Sequence, residues 1–420
     1  ARASLRARKA AGAAVGAVYA VSGRGRRWLT PPAGQAHREY YGEAIASVGD
    51  LDRDGAREIL VGARFANVSG YGSGRFELRS GATGALIYGE GGSAPNEGLG
   101  FAVCAPGDLN GDGTEDFVVS GTGLSPTFPN QNGFVRAYHG RTLRPLWEFS
   151  LPVHSVGKAL ARLQDLDGDG ADELLVLGYS GTQYRNLVFT VSGRTGLMLQ
   201  AITGPPFLLS QELADLGDLD GDGWPEFAVG CVSLCPPGGN YDGGALVYST
   251  RDGRCYSFLP GQQRQGFTGM AVAKAGDLDG DGRSEVLLGS PGWISAGMSR
   301  AGKVEILGIP RTPRPFLAVI GGWAGDRTEV LCMPATGDRV VVYFSLGGAG
   351  GATRPLPSGL ELDLLPPIRA LGVLVPDPQD VASAVTILPH FLKGLTLQLQ
   401  AVMDSPAGPV RTEALSFVVG

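Results

Sequence analysis

The sequence GDLDGDGRSEVLLGS (residues 276–290) contains three aspartates at alternate positions, a glycine directly after the third, and a glutamate three residues later. Four other segments follow the same template. They are GDLDRDGAREILVGA (49–63), GDLNGDGTEDFVVSG (107–121), QDLDGDGADELLVLG (164–178) and GDLDGDGWPEFAVGC (217–231). Below, the leading aspartate of each segment is position one. A motif that recurs five times in register is the dominant feature of the chain and decides its fold.

The five leading aspartates are 53 to 59 residues apart, which is enough chain for four short antiparallel strands. Apolar runs flank each template, and an alternating strand-like segment begins 21 to 26 residues past position one, as in GRFELRSG from Gly74. A weaker outer strand follows, such as ALIYGE (85–90) or LMLQAI (197–202). This pattern predicts an all-β chain, a β-propeller with five complete blades and a partial one over residues 14–308.

The N-terminal segment allows two interpretations. Its basic start and small apolar run could belong to a signal peptide, but GAVYAVSG (16–23) fits the third-strand template in spacing. We therefore predict a blade strand there and no native-like fold for residues 1–13. The loop of that blade would lie before residue 1. The expectation is a fragment of a protein with six or seven blades, whose signal peptide lies upstream.

After Gly308 the template stops. Residues 309–315 (IPRTPRP) predict a stiff, proline-rich linker. Strand-like runs with Pro/Gly turns follow, which predicts a small C-terminal β-sandwich over 316–420. They are RVVVYFSL (339–346), LELDLL (360–365), ALGVLV (370–375), SAVTIL (383–388), LTLQLQAV (395–402) and ALSFVV (414–419). No run reaches the ~18 apolar residues of a membrane helix.

The template has the chemistry of a calcium loop. Ca²⁺ takes six to eight oxygen ligands, and acids at alternate positions of a tightly curled loop can point their oxygens at one centre. The glycine at position six permits the left-handed turn that brings the chain back. We expect position seven to offer a backbone carbonyl and position nine to close the shell. The position-seven residues are Ala56, Thr114, Ala171, Trp224 and Arg283.

Other calcium motifs fit less well. An EF-hand and a dockerin need an acid at position twelve, which here is Val61, Val119, Val176, Val229 or Leu288. Thrombospondin-type repeats are shorter and contain paired cysteines.

The five segments resemble FG-GAP repeats, as in integrin α-subunits and many secreted bacterial proteins. The phenylalanine–glycine element survives in GLGF (98–101) and GFTG (266–269), and the second element in VGA (61–63) and GSP (289–291). The tail is similar to the β-sandwiches that follow such repeats in some secreted bacterial proteins.

The resemblance implies metal ligands at positions one, three, five and nine, and about five bound Ca²⁺ ions. These ligands are Asp50, Asp52, Asp54 and Glu58; Asp108, Asn110, Asp112 and Asp116; Asp165, Asp167, Asp169 and Glu173; Asp218, Asp220, Asp222 and Glu226; and Asp277, Asp279, Asp281 and Glu285. Asn110 keeps an oxygen but removes a charge, so the second site should be among the weaker ones.

Composition limits the other functions. The five loop segments hold 21 of the 41 Asp and Glu residues, so the net charge of −6 belongs mainly to the loops. No basic stripe indicates a nucleic-acid partner. Cys231, Cys235 and Cys255 leave open one disulfide or simple buried thiols. The four histidines, His37, His139, His154 and His390, form no catalytic motif. We therefore predict that the chain is not an enzyme.

Two functional hypotheses remain. The first is a secreted or cell-surface scaffold for adhesion that binds an extracellular protein or glycan and uses Ca²⁺ structurally. The second is a carbohydrate-active propeller, either a lectin or a polysaccharide lyase. In both, the contact surface would be the loops 62–74, 121–133 and 290–302, with Trp293 and Tyr71 as candidate sugar-stacking residues.

Overall fold

The computed structural model describes residues 2–5, 18–21, 39–123, 133–151, 154–180, 185–206, 210–232, 243–263, 265–294 and 301–309, and the strands between 316 and 418. All regular structure in these residues is β-strand, without helices. Accordingly, the described residues contain no helix that is long and apolar enough to cross a membrane. The predicted all-β, propeller-type fold class is confirmed.

The chain divides into two compact units, residues 1–201 and 202–420. The first unit contains fourteen described strands, of which the last crosses the boundary. They are β1 (Arg2–Leu5), β2 (Val18–Val21), β3 (Ile45–Ser47), β4 (Ile59–Ala63), β5 (Arg75–Arg79), β6 (Leu86–Gly91), β7 (Val103–Gly107), β8 (Asp116–Gly121), β9 (Phe134–Tyr138), β10 (Pro145–Ser150), β11 (His154–Leu163), β12 (Glu173–Ser180), β13 (Arg185–Val191) and β14 (Met198–Pro206).

The second unit contains the remaining strands. They are β15 (Ser210–Gly217), β16 (Glu226–Cys231), β17 (Gly244–Ser249), β18 (Cys255–Pro260), β19 (Ala271–Gly276), β20 (Glu285–Ser290), β21 (Lys303–Leu307), β22 (Phe316–Ile320), β23 (Arg327–Met333), β24 (Val340–Ser345), β25 (Ala349–Pro355), β26 (Glu361–Leu364), β27 (Ile368–Leu374), β28 (Ala382–Ile387), β29 (Thr396–Met403), β30 (Val410–Arg411) and β31 (Leu415–Val418).

Strands β3 to β21 form five sheets, one for each copy of the template. The first four are four-stranded in chain order, β3–β6, β7–β10, β11–β14 and β15–β18, and the fifth contains β19, β20 and β21. In every sheet the Asp-rich loop connects the first strand to the second, for example β19 to β20. The five loops therefore occupy one topological position. The total number of blades stays a prediction.

Successive sheets within a unit pack face to face through apolar side chains. Between the first and second sheets, Phe76 lies 5.1 Å from Tyr138 and 5.9 Å from Phe117, measured between ring centroids. The second and third sheets share one buried cluster, and the fourth and fifth share another. Within each unit, these cores pack neighbouring sheets together and hold the loops at the sheet ends.

The fifth sheet differs on one face. Val304 and Ile306 of β21 are 69% and 54% exposed, whereas Phe76 and Leu78, which have the same register in β5, are fully buried. Leu278, at position two of the fifth loop, is also 60% exposed. We call Leu278, Val304 and Ile306 the trailing face of the fifth sheet. In the described part of the chain this face has no further sheet against it.

The structure describes only parts of the N-terminal and C-terminal segments to which the domain predictions refer. Strand β1 pairs with β2, which lies inside the predicted strand 16–23, but of residues 1–13 only 2–5 are described. Linker residues 310–315 lie outside the described residues. All six predicted C-terminal runs coincide with strands, and β22 to β31 form three sheets. The domain boundaries and the β-sandwich stay predictions.

Candidate metal loops

The loop backbone is folded around the aspartate at position one. In the fifth loop, the N–H groups of Gly280 and Gly282 donate to the two oxygens of Asp277, at 2.7 and 2.9 Å. The N–H of Asp281 donates to Asp279, and that of Arg283 donates to Asp281, at 3.1 and 3.0 Å. The bonds made by positions five, six and seven recur in all five loops. Alternate acids thus lie on the inside of the curl because each accepts a backbone N–H two or more residues later.

Two positions per loop need a left-handed backbone. Position six is glycine throughout, with φ between 83° and 89°. Position four is also left-handed, with glycine in four loops at φ of 77° to 84° and Arg53 in the first loop at 62°. Of these two turns, only the one at position six was predicted from the sequence. The recurrence of glycine at position four was visible in the sequence and was the signal for this second turn.

The acid at position nine lies at the buried end of each loop. It is fully buried in the first four loops, and Glu285 is 7% exposed. One of its oxygens accepts the N–H of position two in every loop, for example Leu166 to Glu173 at 2.8 Å. The other oxygen, Oε1, is buried without a hydrogen-bond partner in Glu173 and in Glu226. A buried, unsatisfied carboxylate oxygen at the centre of an acidic loop is costly unless a cation meets it.

The pKa values reflect this crowding. Burial raises the pKa of Glu173 to about 7, and the charges of Asp167, Asp165 and Asp169 add to the rise, against the N–H of Leu166. Burial likewise raises the pKa of Glu226 to about 7. The metal-free loops therefore resist having all their carboxylates ionised.

The structure brings most of the predicted ligands together. One oxygen from each member of four sets lies within 4.8 Å of the others. The sets are Asp50, Asp52 and Glu58; Asp165, Asp167 and Glu173; Asp218, Asp220 and Glu226; and Asp277, Asp279, Asp281 and Glu285. Only the fifth loop thus contributes all four predicted positions.

The position-five carboxylate is held elsewhere in the first and fourth loops. Asp54 accepts a bond from the Ser80 hydroxyl at 2.9 Å, and Asp222 one from Arg251 at 3.1 Å. Asp169 likewise faces Arg194, at 3.5 Å. These partners lie on the turn that follows the third strand of the same sheet, and sequence reasoning missed them because nothing in the template refers to that turn.

The second loop has its own chemistry. Asn110 Nδ2 donates to Asp116 at 3.3 Å, so the asparagine replaces a repulsion between two carboxylates with a hydrogen bond. His139 lies between Asp112, 3.3 Å from Nε2, and Asp116, 3.6 Å from Nδ1. The predicted residues of this loop are brought to one place, but without the tight acidic set seen in the other four.

The donor set suits a hard cation. Every predicted ligand offers oxygen, which Ca²⁺ and Mg²⁺ prefer over nitrogen or sulfur, and Glu173 and Glu226 each present a buried oxygen that nothing else satisfies. A loop that supplies three or four such oxygens from one short segment fits Ca²⁺, which tolerates irregular geometry, better than Mg²⁺. The residues present therefore fit the predicted ion.

The other residues singled out in the sequence, the aromatic residues, cysteines and histidines, differ in exposure and in whether the structure describes them. Tyr71 is 71% exposed, whereas one face of the Trp293 ring carries the Lys303 ammonium 4.0 Å away. Cys231 and Cys255 are both buried, and Cys235 lies outside the described residues. His37 and His390 also lie outside them, and only the backbone of His154 is described.

Comparison with known proteins agrees with the loop geometry. Residues 218–288, which include the fourth and fifth loops, match the family model described as FG-GAP-like repeat. Integrin alpha-5 of Xenopus laevis is 30% identical over 218 residues, 46% of this chain and 20% of the relative. Integrin alpha-V of Gallus gallus is 28% identical over 231 residues, 49% and 21% of the two chains. The chain thus spans about a fifth of the length of these curated relatives.

Among solved structures, the Dos1 propeller is similar with a TM-score of 0.44 and 11% identity, covering 76% of this chain and 71% of that one. The predicted resemblance to FG-GAP repeats and integrin α-subunits is confirmed by the family model and the relatives.

Proposed function

We propose, from the premise that this chain is built of FG-GAP-like repeats, that it is a calcium-stabilised scaffold that binds an extracellular protein or glycan. In this proposal each of the five loops holds one structural Ca²⁺ ion, the protein is secreted or displayed on a cell surface, and it has no catalytic role. Residues 14–308 form the propeller, 309–315 the linker and 316–420 a β-sandwich.

The observation that supports metal binding most directly is the buried, unpartnered Oε1 of Glu173 and of Glu226. Each lies beside aspartates that gather oxygens within 4.8 Å. Proteins keep few such atoms, because an unsatisfied buried polar group costs about 1–3 kcal/mol. A bound divalent ion removes that penalty and the mutual repulsion of the carboxylates at once.

Extracellular action is supported by the relatives and by the chemistry. Integrin α chains are among the curated relatives, and extracellular calcium modules typically bind with Kd of about 10⁻⁴–10⁻³ M. His139, the one histidine whose side chain is described, contacts two loop acids, which supports a role in the loop and not in catalysis.

A carbohydrate-binding role is the second candidate, and the exposure of Tyr71 favours it, since sugars stack on accessible aromatic rings. Trp293 is a weaker candidate because Lys303 covers one of its faces. A glycan array read with the wild type and with Tyr71→Ala tests this. Loss of a glycan signal in the variant favours the lectin, and the absence of any signal removes this candidate.

The main experiment is calcium calorimetry together with melting curves in EDTA and in rising Ca²⁺. An ion that binds only the folded form stabilises it by about 2.7 kcal/mol per site at a hundredfold excess over Kd. Replacing both Asp279 and Asp281 with alanine should remove one site. Asp252→Ala is the matched control, because Asp252 lies on an exposed turn outside every loop. An unchanged melting temperature with no heat of binding would contradict the proposal.

A further inference from the structure

Arg283 joins two neighbouring loops. It is at position seven of the fifth loop, where the other four loops have Ala, Thr, Ala and Trp. Its Nε donates to the backbone carbonyl of Leu219, which is at position two of the fourth loop. Its two terminal nitrogens donate to the Ile309 carbonyl at 2.8 Å and to the Tyr256 hydroxyl at 3.2 Å. The guanidinium is thus held on three sides, and its orientation is fixed.

A short chain of contacts connects the acids of the two loops through this side chain. The Arg283 N–H donates to Asp281 at 3.0 Å. Beyond the guanidinium, the N–H of Leu219 donates to Glu226 at 2.7 Å, and Leu219 is only 3% exposed. Glu226 is the buried acid whose second oxygen is unpartnered. A change at Asp281 can therefore reach Glu226 through the Arg283 side chain and the backbone of Leu219, whose carbonyl and N–H belong to two successive peptide units.

We propose that Arg283 positions the fourth loop from the fifth, so that ion binding in these two loops is cooperative. This inference rests on the proposed calcium binding. An ion in the fifth loop fixes the backbone of Arg283. The fixed guanidinium then holds the Leu219 carbonyl, which restrains the residue whose N–H donates to Glu226 and so orders the fourth loop before its own ion arrives. Coupling between sites is mutual, so the fourth ion favours the fifth equally.

The first and second loops provide an internal comparison. There the link is an ion pair between Arg57 and Glu115, both at position eight, at 2.6 Å. These side chains are 52% and 34% exposed, so water and salt screen the pair. Among the described contacts, the pair forms no hydrogen bond to a backbone group of the partner loop. We expect little coupling across it.

The test follows terbium, a luminescent calcium substitute, at the fourth loop. Trp224 is at position seven of that loop and should sensitise a terbium ion bound there. Loss of the luminescence in Trp224→Phe would verify this assignment. The fifth site is removed with Asp279→Asn and Asp281→Asn. In the Arg283 background this removal should weaken terbium binding at the fourth loop by about 3- to 10-fold. In the Arg283→Met background it should change nothing.

Two further variants sharpen the test. Arg283→Lys keeps the charge but cannot form three divergent bonds, so it too should lose the coupling. Arg57→Met, which breaks the exposed link between the first two loops, should leave the coupling intact. An equal effect of site removal in the Arg283 and Met backgrounds, or no effect in either, overturns the inference. Absence of any terbium binding would overturn the proposed function as well.

Discussion

At the scale of single residues, the buried acid at position nine makes the stability of the metal-free protein depend on pH. The pKa of Glu173 is about 7 in the fold against an ordinary value of 4.5. An acid whose pKa is raised on folding stabilises the fold most below its unfolded pKa and loses that contribution as pH rises to the folded value. The metal-free fold should therefore weaken between about pH 4.5 and 7 because of this group.

A glutamine isolates the effect. In EDTA, Glu173→Gln should melt above the wild type, and the difference should grow from pH 5 to pH 8. In saturating Ca²⁺ the order should reverse, because the amide is a poorer ligand. Melting curves of both proteins at both pH values check this. A difference in EDTA that does not change with pH would show that Glu173 is not a strained acid.

Replacing Asn110 with aspartate should raise the calcium affinity of the second loop and lower the stability of the metal-free protein. Asn110→Asp removes the hydrogen bond to Asp116 and puts a second carboxylate 3.3 Å from it. Without metal the variant should melt below the wild type, because like charges then face each other. With metal, the added charge should tighten the second site by about 5-fold, equivalent to roughly 1 kcal/mol. Calorimetry of the variant beside the wild type measures the change in Kd. Weaker binding would place Asn110 outside the metal shell.

Arg53 carries a backbone conformation that suits glycine. Its φ is 62°, where the other loops have glycine at position four. A left-handed residue with a side chain costs about 1–2 kcal/mol, and glycine returns part of this through a more flexible unfolded chain. Arg53→Gly should therefore raise the free energy of unfolding by about 0.5–1 kcal/mol. Gly168→Ala at the same position of the third loop should lower it, which makes a matched pair for chemical denaturation.

At the scale of the element, the trailing face of the fifth sheet allows the effect of burial to be measured on one residue type, because valines at the same register differ in exposure. Val304 is 69% exposed, and Val135, at the same register of the second sheet, is fully buried. Val135→Ala should cost about 2 kcal/mol through lost contacts and a cavity, and Val304→Ala less than about 0.5 kcal/mol. Urea unfolding of both variants checks the difference. A large cost at Val304 would mean that another surface covers it in solution.

The strands and loops also show how much of the structure could be predicted from the sequence. The five hairpins were predictable because their spacing, their flanking apolar runs and glycine at position six recur, and each feature has one local cause. The bonds of Ser80, Arg251 and Arg283 to the loops were not. They join residues 26 to 64 positions apart, and such contacts depend on how neighbouring turns and sheets meet, which a repeat template does not encode.

At the scale of the whole molecule, charge reports ion binding. The formal net charge at pH 7 is −6, and five Ca²⁺ ions would bring it to +4. The chain should therefore migrate toward the anode in EDTA and toward the cathode in saturating Ca²⁺. Capillary electrophoresis at pH 7 measures both mobilities on one sample. A change in mobility smaller than that expected for five ions would indicate fewer bound ions. An unchanged mobility would contradict calcium binding altogether.

The bond from the Gly111 N–H to Asp108, at 2.8 Å, has a consequence for chemical ageing. An asparagine followed by glycine loses its amide when the glycine nitrogen attacks the side-chain carbonyl, and Asn110–Gly111 is such a pair. Here that nitrogen is already engaged, so the folded loop protects its own asparagine. Stored in EDTA, with the loop loosened, the protein should slowly acquire aspartate or isoaspartate at position 110. Peptide mapping would then date a preparation by how long it has been without calcium.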